Sequence, residues 1–257
     1  MTPRRGLWYG LATLVVVGLS ASFVVSLLVQ QQATDVRSYP HDTVTAVDVV
    51  APGAAVVIQP GPGGQAQVTE NLRWFTDRPH VSQSFDPKTG MLSIQADCKS
   101  AKFLTGGGCS VELDISVPPT ASVHAVSDSG ATTVKQMAGP VDVQTASGAI
   151  ESDGVSGQVS ARADSGAITA NALLSDDVAA TATSGAITLD FAAPPATVTA
   201  GVTSGALDVQ LPRGTQYRVV STAGSGPADV DPGLSSTSAV DTVTTSSTSG
   251  EVAIGYR

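Results

Sequence analysis

Ser147-Gly148-Ala149-Ile150, Ser165-Gly166-Ala167-Ile168, Ser184-Gly185-Ala186-Ile187 and Ser204-Gly205-Ala206-Leu207 are four copies of one short phrase, spaced by 18, 19 and 20 residues. Ser129-Gly130 precedes them at the same interval, and looser copies follow at Ser225-Gly226 and Ser249-Gly250-Glu251-Val252. A repeat of about 20 residues is the length of one coil of a solenoid. Ser and Gly alone could recur by chance in this composition. The aliphatic residue two positions after each Gly could not.

Working outward from the phrase, side chains alternate with period two, the signature of half-buried strands. Before the turn, Val143 and Thr145, Ala161 and Ala163, Ala180 and Ala182, and Ala200 and Val202 share one parity. Gln144, Arg162, Asp164, Thr181 and Thr183 take the other. After it, Ile150, Ile168, Ile187 and Leu207 begin an inward series that Ala170, Leu189 and Val209 continue. Strands this short are unstable alone, so coil must stack on coil. Each Gly is expected to supply a backbone conformation that a Cβ resists, with the preceding Ser bonding locally at the corner. A second corner falls at Asp153-Gly154, Ser175-Asp176-Asp177 and Ala193-Pro194-Pro195. The expected fold is all-β, a single-stranded β-solenoid, right-handed by general crossover chirality. Its interior of Ala, Val, Ile, Leu and Thr is narrow and leaves no ligand cavity; Phe191, Tyr217 and Tyr256 are the late aromatic exceptions.

The rest of the chain is organised around that stack. Arg4 and Arg5 precede an uncharged apolar run over residues 6–30, long enough as a helix to cross a bilayer core of about 30 Å. The basic side predicts a cytoplasmic tail at 1–5, one N-terminal transmembrane helix, and an extracytoplasmic remainder. A cleaved signal peptide competes, since Ser20-Ala21-Ser22 offers small residues, but Phe23 to Val29 carries the apolar run past them. Residues 31–42 read as a polar stalk. Residues 43–118 carry strands without the Ser-Gly period, including Ala55 to Ile58 and Val111 to Val117, and are expected as irregular first coils. Pro118-Pro119 marks the join to the repeat at 119–257.

Net charge is −9, with the acids all beyond the apolar run. No phosphate-neutralising patch exists, which argues against a nucleic-acid partner. Cys98 and Cys109 are expected to close one disulfide in an oxidising compartment, worth about 3 kcal/mol in the chain-entropy model. His41, His80 and His124 lack metal-site spacing and read as surface residues. Asp128, Asp164, Asp176 and Asp177 lie near turns, without the spacing of calcium-binding rolls. Arg162 and Asp164 share an outward face and predict a weak ion pair. No G-x-S-x-G elbow accompanies the many Ser hydroxyls, and sugar hydrolysis would want two spaced carboxyls with aromatic platforms. No catalytic, cofactor or metal residue is therefore assigned. Ser129, Gly130, Ser147, Gly148, Ser165, Gly166, Ser184, Gly185, Ser204, Gly205, Ser249 and Gly250 are read as structural turn residues.

The anchor, the cysteine pair, Ile115-Ser116-Val117-Pro118, the Ser-Gly-Ala-Ile series and the closing Ser249-Gly250-Glu251-Val252-Ala253-Ile254 together resemble the bacterial DUF4097 family, candidate adhesins built of β-strand repeats. The resemblance spans nearly the whole chain. It implies a right-handed β-solenoid outside the membrane. The chain departs from the commoner pattern in placing Ala, not Asp, after Ser-Gly.

The resulting expectation is a single-pass cell-membrane protein that displays an adhesin-like, non-catalytic binding surface. Its partners would be the membrane, through the helix, and a cell-wall polysaccharide or protein. The alternative is an envelope-sensing or regulatory ectodomain acting through a membrane partner, and a more remote one is a polysaccharide-active β-helix enzyme.

Overall fold

The structure is a computed structural model that describes residues 31–40, 43–75, 77–98 and 108–257. The expected tail and membrane helix, residues 1–30, lie outside the described residues, as does His41. Among the described residues no helix is long and apolar enough to cross a membrane.

Among the described residues twenty-one strands form two sheets. The first seven are β1 (Gln31–Tyr39), β2 (Ala46–Val50), β3 (Ala55–Pro60), β4 (Ala66–Trp74), β5 (His80–Asp86), β6 (Met91–Asp97) and β7 (Cys109–Val117). The repeat supplies β8 (Ser122–Ser127), β9 (Thr132–Lys135), β10 (Val141–Thr145), β11 (Ile150–Asp153), β12 (Val159–Ala163), β13 (Ile168–Leu173), β14 (Asp177–Ser184), β15 (Ile187–Phe191), β16 (Thr197–Ser204) and β17 (Leu207–Leu211). Last come β18 (Arg218–Ser225), β19 (Ala228–Val230), β20 (Thr242–Ser249) and β21 (Val252–Tyr256). Sheet A runs β1-β4-β7-β3-β9-β11-β13-β15-β17-β21-β19, and sheet B runs β18-β20-β16-β14-β12-β10-β8-β2-β6-β5. Each coil gives one strand to each sheet, and strands of successive coils pair in parallel and in register.

Register turns the period-two pattern into columns. Ile150, Ile168, Ile187, Leu207 and Val252 stack inward from sheet A, and Val141, Val159, Val178, Val198 and Val243 stack inward from sheet B. All are buried. Like side chains repeat at the strand spacing of about 4.8 Å, so a narrow core forms with no side chain larger than the column permits.

Stacking order departs from sequence order at both ends. The coil β2–β3 lies between β6–β7 and β8–β9. The coil β20–β21 lies between β16–β17 and β18–β19. Coils laid down strictly in chain order, the expectation from the repeat, hold only from β8 to β17.

Residues 31–39 are not a stalk. They form β1, which pairs antiparallel with β4 over its whole length, and β4 pairs antiparallel with β7. β5 pairs antiparallel with β6 on the other sheet. This layer closes the amino end. Trp74 and Leu72 are buried there, and Tyr39 meets Phe85 at 5.7 Å between ring centroids. Glu70, 4% exposed, accepts a hydrogen bond from Gln83, whose carbonyl oxygen accepts one from Tyr39. Burial raises the Tyr39 phenol above its ordinary value, with Arg37 lowering it and Glu70 raising it by lesser amounts. Cys98 and Cys109 are joined across the end of β6 and the start of β7, Cα to Cα 5.9 Å.

The Ser-Gly corners have a different cause from the expected one. A Cβ on Gly148 would lie 2.0 Å from the Gly130 carbonyl oxygen, one on Gly166 1.7 Å from that of Gly148, and one on Gly185 2.1 Å from that of Gly166. The ladder continues through Gly205, Gly250 and Gly226, and only these three have left-handed φ. Close approach of one backbone to the next is what every corner shares; the dihedral is not. Hydroxyls at these corners also bond between coils, Ser129 Oγ donating to the Pro52 carbonyl and Ser225 Oγ to that of Thr248. Local capping comes from earlier positions: Thr145 Oγ1 accepts from Gly148 N–H at 2.9 Å, and Ser127 Oγ donates to the Gly130 carbonyl.

Candidate functional site

The outward face of sheet B carries a linked set of charged and polar side chains. In-register pairing places Asp48 (β2), His124 (β8), Asp142 (β10) and Ser160 (β12) in one column. The next column along the strands holds Val126, Gln144, Arg162 and Thr181. His124 Nδ1 lies 2.9 Å from Asp48 Oδ1, and its Nε2 lies 3.9 Å from Asp142 Oδ2. Arg162 Nη1 donates to Ser160 Oγ at 3.1 Å and to Asp142 Oδ1 at 3.5 Å. Gln144 Nε2 reaches the other Asp142 oxygen at 3.5 Å. Asp142 is the hub, and the side chains of Asp48, His124, Asp142 and Arg162 are 38–58% exposed.

These contacts correct two expectations. Arg162 pairs with Asp142 in the neighbouring coil, not with Asp164. His124 is not a lone solvated ring: carboxylates flank it on both sides. Sequence reading missed Asp48 and Asp142 because Asp48 is 76 residues from His124, and only the coil register brings them together. His80 lies at the start of β5, remote from this column. Asp177 accepts from Gln158 Nε2 at 2.9 Å. Among the described residues no group of three His, Cys, Asp or Glu side chains is placed to hold a metal ion.

A shallow groove of about 610 Å³ runs beside the column, lined among others by Met91, Ser122, His124, Pro140, Asp142 and Gln158. Met91 and Pro140 give it apolar contact area; the rest offer hydrogen bonds. Farther along the same face the strands carry Thr181, Thr183, Thr199, Thr203, Thr244 and Thr248. Gly201 leaves a notch between Thr181 and Ser246, part of a depression of about 350 Å³.

Chemically the face is suited to holding a ligand. A nucleophile relay needs a hydroxyl or thiol on the imidazole nitrogen that the orienting carboxylate leaves free. Here that nitrogen faces a second carboxylate. The two carboxylates stand two coils apart, and the His124 ring fills the space that a glycosidic oxygen and its attacking water would need. What remains is a flat array of donors and acceptors at strand spacing, with an apolar strip beside it. The outward face of sheet A is different in kind: Asp114, Glu151, Asp153, Asp190, Asp208 and Asp229 alternate along it, with Arg257 Nε at 3.4 Å from Asp190.

Three solved structures match this chain over most of its length. They are a candidate cell adhesion protein from Clostridium sporogenes (9% identity, TM-score 0.42, covering 88% of this chain and all of that one), a candidate adhesin from Bacteroides fragilis (16%, 0.40, 88% and 97%) and one from Parabacteroides distasonis (11%, 0.44, 88% and 97%). No curated protein matches the chain. The family profile described as Toastrack DUF4097 matches residues 107–255, more than half of the chain and all of its regular coils. This protein belongs to the Toastrack DUF4097 family.

Proposed function

We propose that this protein is a membrane-anchored, extracytoplasmic binding module of adhesin-like type, non-catalytic, whose contact surface is the outward face of sheet B. The observation that carries the reading is the Asp48–His124–Asp142–Arg162 array. Its polar groups are half-exposed and satisfied by one another, so they can exchange partners with a polar ligand at little cost. The uncharged apolar run at residues 6–30 supports the anchor. Polyhydroxylated chains fit the face best, because each coil repeats the same donor and acceptor spacing. The test is binding of the full chain, in detergent, to a panel of cell-wall polysaccharides including peptidoglycan. Saturable binding that falls at least tenfold in Arg162→Ala and Asp142→Asn supports the reading. Binding to none of the panel, or binding indifferent to both substitutions, overturns it.

One observation favours a second reading, regulation of a membrane partner. Residues 31–39 enter sheet A directly, so no flexible spacer separates residue 30 from the solenoid. Replacing residues 1–30 with an unrelated anchor separates the two readings: display survives the exchange, and signalling through the helix does not.

A further inference from the structure

We propose that the carboxyl end of the stack is a self-association edge, at which β18 pairs antiparallel with β18 of a second copy. β18 closes sheet B with β20 as its only strand partner, while Leu234 and Ser236 of the following loop bond the backbone of Tyr217, one residue ahead of β18. From Val219 to Ala223 one row of its backbone N–H and C=O groups therefore has no strand partner. Edge strands are ordinarily blunted by charge, proline or bulges. The other two long edges are: β1 carries Asp35 and Arg37 and is followed by Pro40, and β5 follows Pro79 and carries His80 and Asp86. β18 has none of these beyond its first residue. Arg218 is its sole charge, and that guanidinium donates to the Ala239 carbonyl.

The side chains agree with the backbone. Val219, Ser221 and Ala223 point inward but are only half-buried, unlike their neighbours Val243, Thr245 and Ser247 one strand in. Outward, Val220 is 52% exposed, and Val240 in the adjoining loop is 89% exposed. Another strand laid on β18 would cover all of these.

The occupant is a second copy because the edge is complementary to itself. Directly opposed residues on antiparallel strands must share a face. Of the registers that keep this rule, the one centred on Ser221 sets Val219 against Ala223 of the second copy and Val220 against Thr222, both favourable cross-strand pairs. It sets Arg218 against Gly224, so no like charges meet. No acid lies on the strand, although the chain as a whole carries −9 and its sheet A face would repel a copy of itself. Ten strands of sheet B then become a continuous twenty, about 95 Å long at strand spacing, with the β5 ends at opposite poles. On the anchored reading above, such a rod joins two membranes or lies along one.

The experiment uses the full chain in its membrane. In the proposed register the Ser221 Cα atoms of two copies lie about 4.5–5.5 Å apart, within disulfide range. Ser221→Cys is therefore expected to give a covalent dimer on mild oxidation, while Ser82→Cys on β5 gives none. Adding Val220→Lys or, separately, Thr222→Glu to Ser221→Cys should reduce dimer yield at least tenfold; both positions point outward, and an unchanged melting temperature shows that the coil is intact. No dimer from Ser221→Cys overturns the proposal. So does a dimer indifferent to both charged substitutions, or a cross-link to a different protein in place of a second copy. Ligand binding at the sheet B face is not involved in this readout, so the two proposals fail independently.

Discussion

The two ends of the solenoid solve the same problem with unequal means. A stack of parallel coils leaves an open core and two free strand edges at each end. At the amino end the chain reverses direction: β4 and β1 on one sheet and β5 on the other bring Trp74, Leu72, Tyr39 and Phe85 over the core, and a disulfide fastens β6 to β7. At the carboxyl end the direction never reverses. β18–β19 is one more parallel coil with small, half-buried inward residues, and the coil beneath it contains hydroxyls, Thr245 bonded to Ser221 at 3.0 Å and Ser247 with no partner among the described residues. Antiparallel closure spreads its large side chains over the core, whereas the last parallel coil confines its own, Tyr217 with Leu234, to the corner just ahead of β18. The amino end should therefore behave as a rigid cap and the carboxyl end as a detachable one.

Substitutions can break that contrast. The largest effect is expected from Gly205→Ala, whose Cβ would lie 1.8 Å from the Gly185 carbonyl oxygen at a left-handed φ of 147°, on a coil flanked on both sides. A loss above about 4 kcal/mol in chemical denaturation is the expected outcome. Gly226→Ala makes the same collision, 2.1 Å from the Gly250 oxygen, but on the outermost coil, which can tilt away; about 1–2 kcal/mol should suffice. Equal losses at the two positions would show that the last coil is held as firmly as the rest. Next, Leu113→Ala, at a fully buried position of β7, should cost about 3–4 kcal/mol, against less than about 1 kcal/mol for half-buried Val219→Ala. Replacing Cys98 and Cys109 together with Ser should remove about 3 kcal/mol, with hydrogen-exchange protection lost first in β5 and β6 and kept in β14 and β16.

The smallest effect sharpens the chemistry of the carboxyl end. Tyr217 is fully buried and its phenol is pushed up to about 12, first by burial and then by the Asp241 carboxylate; Thr215 eases the shift slightly without reaching hydrogen-bond geometry. Above the ordinary value of 10 the unfolded chain loses this proton while the folded chain keeps it. Stability should thus be complete below pH 10 and fall as pH rises towards 12. Tyr217→Phe should flatten that decline, and denaturation midpoints across the range measure it.

The regular part of this architecture was legible because it is local. Ser-Gly-Ala-Ile repeats at coil length, and the parity of Val143, Ala161 and Ala180 identifies the inward face without any knowledge of partners. What escaped sequence reading depends on long-range pairing. β1 looks like a stalk because seven of its nine residues are exposed, and its strand character rests on backbone bonds to β4. The intercalation of β2–β3 and β20–β21 leaves no mark in composition. His124 reads as a lone histidine until register sets it between Asp48 and Asp142. Even the corner glycines were recognised for a reason that holds at only three of them, because the carbonyl each must clear belongs to another coil.

The out-of-order coils also constrain how the molecule can be made and unmade. A chain synthesised from its amino end cannot lay coils down one after another, since residues 46–60 find their neighbours only after 91–117 and 122–135 have arrived. Assembly must wait for distant segments, which slows it. Once complete, the reverse holds. Peeling β1 away leaves β2–β3 still gripped on both sides, and traction on residue 257 meets β21 clasped between β17 and β19. Unravelling from either terminus is blocked until a loop from the interior of the sequence lets go, as in a dovetail joint.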